Sequence, residues 1–138
     1  MTTARDIMSP TVHVILPTAT IREAATLMRD HRIGALPVVD DRNHLIGIVT
    51  DRDLIVFAIA FGAHVEDTIE QYGVREVATV DLRADLDDVQ RIMSEHRVHR
   101  LPVVYGEELL GVISLADLAR AVPAISIGTT TSSILQRI

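Results

Sequence analysis

Two short patterns carry the side chains best spaced for chemistry: "TDRD" (Thr50–Asp53) and "SLAD" (Ser114–Asp117). In each, a hydroxyl precedes a carboxylate by three residues, the spacing of a capped helix start. A helix N-terminus also offers free N–H groups and the positive end of the dipole, which attract phosphate. The pair His99-Arg100 is a third candidate. A guanidinium forks onto phosphate oxygens, and a protonated imidazole adds a charge-assisted bond. All 13 basic residues are Arg, so a phosphate contact must come from Arg, His or backbone. Each pattern also has a plain structural reading: Thr/Ser-x-x-Asp as a cap alone, and His99-Arg100 as a solvated strand end.

Other chemistry is poorly supplied. The chain has no Cys, which removes thiolate metal sites, disulfides and a Cys nucleophile. Its 6 His include no HxxxH or HExxH pair, and no Walker A loop, G-x-S-x-G or G-x-G-x-x-G occurs. A site from Glu95, His96 and His99 is conceivable, but His31 and His96 read more simply as helix C-terminal residues facing the dipole. No metal site and no catalytic residue is assigned.

The elements that must position these residues occur twice. "HRIGALPVV" (residues 31–39) returns as "HRVHRLPVV" (residues 96–104), with Gly34-Ala35 replaced by His99-Arg100. The spacing is 65 residues from Met28 to Met93, and 64 from Gly47 to Gly111 after a shorter loop. Each copy reads β-α-β-β-α. A strand is expected at Thr11–Ile15 and at Val77–Val80. A helix follows, opened by the capping box Thr20–Glu23 or by Asp85, with apolar residues at helical spacing. "ALPVVD" with "LIGIVT", and "RLPVVY" with "LLGVIS", make hairpins. Pro37 and Pro102 predict a sheet edge or bulge with free backbone groups beside them. The last helix of the first copy, "LIVFAIAF" (Leu54–Phe61), is apolar on every side, and a partner chain is expected to cover it. The expected boundaries are 1–61 for the first repeat, 62–73 for a polar link, 74–122 for the second repeat and 123–138 for a tail. That tail holds Ile125, Ile127, Ile134 and Leu135 among Ser and Thr.

The bulk numbers limit the partners. With 138 residues and 48% hydrophobic, the chain can bury an aliphatic core, since aromatics are only 3%. A net charge of −6 and few aromatics argue against nucleic acid. The N-terminus has no signal-peptide pattern, and Leu54–Phe61 is too short to cross a bilayer. The chain reads as soluble and cytoplasmic, with no membrane partner.

The repeated unit, from "ARDIM" to "GIVTDRDL" and from "VREV" to "GVISLADL", resembles a tandem pair of CBS domains, a Bateman module, over roughly residues 4–121. The resemblance implies an α/β (α+β) fold of two β-α-β-β-α repeats joined by their sheets with pseudo-twofold symmetry. It also implies a flat homodimer made through the helices, which would cover Leu54–Phe61.

It further implies a regulatory, non-enzymatic module that binds an adenosine nucleotide (AMP, ADP, ATP or a related adenosyl compound) in clefts between the copies and signals to a partner protein. No cofactor is required. Carried over by position, Asp53 and Asp117 would accept the ribose hydroxyls, and Thr50 and Ser114 would donate to ribose or phosphate. Backbone before Pro37 and Pro102 would read the adenine edge, with Ile15, Leu36, Val80 and Leu101 sandwiching the base. His99 and Arg100 resemble phosphate contacts of nucleotide-sensing relatives. Gly34 and Ala35 leave room but no charge in the first copy, where Arg52 can supply some. The expected outcome is one phosphate-competent site and one less so. Two alternatives stand beside this: a ligand-free structural dimer, and a metal-binding stress protein.

Overall fold

The computed structural model describes residues 1–122, so the tail 123–138 with its isoleucines lies outside the described residues. The chain divides into two compact units. One comprises His13–Val77; the other joins Met1–Val12 to the chain from Ala78 onward. Each has its own aliphatic core.

In the His13–Val77 unit, helix α2 (Ile21–His31) starts at the expected capping box. Thr20 accepts from the Glu23 N–H, and the Glu23 carboxylate accepts from the Thr20 N–H. Its apolar stripe buries Ile21, Ala24 and Met28. It ends at Arg32 in the left-handed region (φ 54°). Strands β1 (Ala35–Val39) and β2 (Leu45–Thr50) then form an antiparallel hairpin, with a register shift between Val38 and Val39. That irregularity falls one residue after Pro37, in keeping with a proline beside a bulge. Leu36, Val38 and Val49 are fully buried. The strand expected at Thr11–Ile15 reduces to one parallel bridge between Ile15 and Val38, because only Ile15 reaches the sheet for pairing.

The other unit repeats the plan. Strand β3 (Val80–Asp81) runs parallel to β4 (Arg100–Tyr105), which pairs antiparallel with β5 (Glu108–Ser114). The strand expected at Val77–Val80 thus begins only at Val80, where pairing to Val103 starts. Helix α3 (Leu86–His96) is capped by Asp85 and α4 (Leu115–Ala121) by Ser114. Val89, Met93, Leu101, Val103, Ile113 and Leu118 form the core.

The compact units are drawn differently from the repeats. Within the Gly62–Gly73 link, Ile69 is fully buried in the core of the His13–Val77 unit, and its N–H donates to Ala19 O. Conversely, helix α1 (Ala4–Ile7) buries Ala4 in the core built on the second repeat. The compact units therefore do not coincide with the boundaries 1–61 and 74–122.

The segment "LIVFAIAF" also departs from a regular helix. Asp53–Ala58 is π-helical, and Ile59–Phe61 is a 3-10 turn closed by Gly62 at φ 95°. Leu54 and Ala58 point into the unit's own core, while Ile55, Phe57, Ile59 and Phe61 are exposed. Among the described residues, the all-round burial that the sequence demands is not met. Among the described residues no helix is long and apolar enough to cross a membrane.

Candidate functional site

Both helix starts are built from the hairpin upward. In the first repeat, Ala35 is paired with Thr50, and the Asp51 N–H donates to Gly34 O at 2.9 Å. These contacts bring Gly34 and Ala35 against "TDRD". Thr50 Oγ1 accepts from the Asp53 N–H (3.1 Å), and Asp53 Oδ2 accepts from the Thr50 N–H (3.0 Å). In the second repeat, Arg100 is paired with Ser114, and the Leu115 N–H donates to His99 O at 2.8 Å. Ser114 Oγ accepts from the Asp117 N–H (3.1 Å), and Asp117 Oδ2 accepts from the Ser114 N–H (2.8 Å). His99, Arg100, Ser114 and Asp117 thus gather at one end of one hairpin, with His99 and Arg100 exposed.

The two carboxylates differ in their surroundings. Asp53 is buried, its side chain 6% exposed, and Arg75 Nε lies 3.3 Å from Oδ2. The Asp117 side chain is 17% exposed and bonds to Arg120, one turn further along its own helix. A Cβ at Gly34 would stand 3.1 Å from Asp51 Oδ2, so the first helix start carries a second acid where the other copy has Leu115. Arg52 is exposed, and its N–H donates to Asp51 Oδ1 at 2.7 Å.

The residues expected to hold a base lie deeper. Ile15, Leu36, Val80 and Leu101 belong to the two cores at 6%, 0%, 3% and 0% exposure. Pro37 and Pro102 are buried as well. Sequence reasoning missed Asp51, Arg75 and Arg120. Arg120 follows Asp117 at helical spacing and was legible; Arg75 reaches Asp53 only through strand pairing. The His13 and His31 rings stack at 3.6 Å, a contact no local motif announces.

Such a chain is a duplicated α+β unit in which a hydroxyl and a carboxylate cap one helix start in each copy. The CBS domain family model matches residues 4–59 and 69–124, and the chain belongs to that family as a tandem CBS pair, a regulatory module. It is 38% identical over 124 residues to hypoxic response protein 1 of Mycobacterium tuberculosis, covering 89% of this chain and 87% of that one. The crystal structure of Hypoxic Response Protein I with two coordinated zinc ions superimposes with TM-score 0.81 at 37% identity, covering 88% of this chain and 100% of that one. The structure of CBSX2 in complex with AMP superimposes with TM-score 0.77 at 27% identity, covering 93% and 99%.

Proposed function

We propose that this chain senses adenine nucleotide at the helix start of its second repeat and passes that state to a partner protein in the cytoplasm. The observation that carries the reading is the gathering of a phosphate-type pair, His99 and Arg100, with the hydroxyl and carboxylate of Ser114 and Asp117. Asp117 would accept the ribose hydroxyls, Ser114 would donate to ribose or phosphate, and Arg100 and His99 would hold the phosphate. The structural neighbour crystallised with AMP supports the ligand class. Signalling follows if two conformations of the module differ in affinity for the nucleotide, since a ligand shifts an equilibrium only by that difference.

Calorimetric titration of the nucleotide-free chain with AMP, ADP and ATP tests this. Binding is expected, weakened by Asp117→Ala and by Arg100→Ala. Unchanged affinity in both variants would put the ligand elsewhere. No binding of any adenosyl compound by a stable dimer would favour the ligand-free structural reading. The dimer itself would form through the exposed residues of Leu54–Phe61.

The zinc-bound relative raises the metal reading. The described residues of this chain do not fit it alone: no group of three His, Cys, Asp or Glu is placed to hold an ion. Metal-stripped protein is expected to melt at the same temperature with and without added zinc; a rise with zinc would revive the metal reading.

A further inference from the structure

The two capped carboxylates face different neighbours across the sheet. Segment 74–75 pairs with β2: the Ile48 N–H donates to Arg75 O (2.9 Å), and the Arg75 N–H donates to Ile48 O (3.1 Å). Gly47 lies so close beneath it that a Cβ would come 2.3 Å from Arg75 O. The Arg75 backbone is therefore pinned beside the first helix start, and its side chain reaches Asp53. Ser9 occupies the equivalent place in the other unit. It exchanges the same two bonds with Val112 (2.9 and 3.0 Å), above Gly111, whose Cβ would come 2.6 Å from Ser9 O. A serine side chain is too short to reach as arginine does, and the Ser9 hydroxyl donates instead to Thr11 O. Asp117 takes its cation from Arg120 on the same helix, a side chain 72% exposed against 53% for Arg75.

We infer that Arg75 is an internal counter-ion that holds the first-repeat carboxylate, Asp53, out of ligand binding, so that Ser9 against Arg75 decides which repeat is open. This rests on the reading of Asp53 and Asp117 as ribose carboxylates. A guanidinium with its backbone fixed nearby competes with a neutral diol for the same oxygens. At Asp53 the diol loses, because the bond to a charged donor is the stronger and strand pairing anchors Arg75 beside the carboxylate, whereas the more exposed Arg120 can swing away from Asp117. The exposed Asp51 carboxylate beside Gly34 disfavours a phosphate, so the opened site would take an adenosine group without one.

The test uses the full chain in an Asp117→Ala background, which removes the second-repeat site. Adenosine is titrated by calorimetry or observed by NMR. Adding Arg75→Ser, which copies Ser9, or Arg75→Gln is expected to raise adenosine affinity at least about tenfold over Asp117→Ala alone, the scale of one charge-assisted bond. Arg75→Lys, which keeps the charge, is expected to leave the site closed. A further Asp53→Asn change should abolish the gain. Circular dichroism and melting temperature identify which of the Ser and Gln variants keeps the fold. No gain in a folded variant, or two AMP sites per chain in the unaltered protein, overturns the inference. If the unaltered protein binds no AMP but the Arg75 variants gain adenosine, the inference stands and the phosphate site proposed at His99-Arg100 fails. If no form binds either compound, both fail.

Discussion

Asp117 does two jobs that can be separated. It accepts the Ser114 N–H as part of the α4 cap, and it is the carboxylate proposed to meet ribose. Ser114→Ala removes the hydroxyl that caps the Asp117 N–H and is expected to cost about 1 kcal/mol of stability, read by urea unfolding. Arg100 makes no such structural bond to Asp117, so Arg100→Ala should spare stability and act on the ligand. AMP affinity is expected to fall by roughly tenfold to a hundredfold while adenosine affinity stays level, because only AMP carries the phosphate. Equal losses for both compounds would show that Arg100 does not read phosphate.

Surface carboxylates set the acid side of the stability curve. Asp6 is held below its usual value of 3.8 chiefly by the Thr3 N–H. The His44 N–H does the same for Asp40, and the Arg83 side chain, followed by its N–H, for Asp81. A carboxylate whose folded pKa is depressed stabilises the fold above its unfolded value, and that contribution disappears as pH falls through the lower folded value. The melting temperature should therefore drop as pH is lowered below about 4. Asp81→Asn should make that drop shallower; an identical slope would mean that the Arg83 contact contributes nothing.

At the scale of elements, the glycines of β2 and β5 mark where a further segment crosses each hairpin. Gly47 and Gly111 each pair into the sheet and leave no room for a methyl: the obstruction is Arg75 O at one, and Ser9 O with Met8 Sδ at the other. Gly47→Ala meets backbone at 2.3 Å and must displace the 74–75 segment. A loss of about 1–3 kcal/mol is expected, the scale of overpacking, read from the urea midpoint. Gly34→Ala meets only the Asp51 side chain at 3.1 Å, which can swing away, so its cost should be smaller. Equal costs would mean that the crossing segments are not held as described. The π-helical turn after Asp53 has a related effect: it sends Leu54 and Ala58 inward and leaves Ile55 and Phe57 in water.

At the scale of the whole molecule, those exposed side chains are an unmet demand among the described residues. Ile55, Phe57, Ile59 and Phe61 are 63%, 53%, 42% and 80% exposed within one short segment. Burying such a side chain fully yields about 1.5–3 kcal/mol, so covering all four would support a stable pair of chains. Phe57→Glu with Phe61→Glu is expected to convert a dimer into a monomer in light scattering, with each chain still folded. A dimer that survives both changes would have its interface elsewhere.

Much of the fold was legible because it is local. The capping boxes at Thr20 and Ser114, the apolar stripes of α2 and α3, and both hairpins follow from spacing within a few residues, and duplication let each copy check the other. The gathering of His99 and Arg100 with Ser114 and Asp117 was also implied once "RLPVV" and "LLGVIS" were read as one hairpin. The sequence by itself thus determined the repeat, the elements and the chemical difference between Gly34-Ala35 and His99-Arg100. Only the tertiary structure decided where Met1–Val12 and Gly62–Val77 belong, and that Arg75 answers Asp53 while Ser9 stands in the matching place. Those outcomes depend on strand pairing between segments far apart in the chain, which no local period encodes.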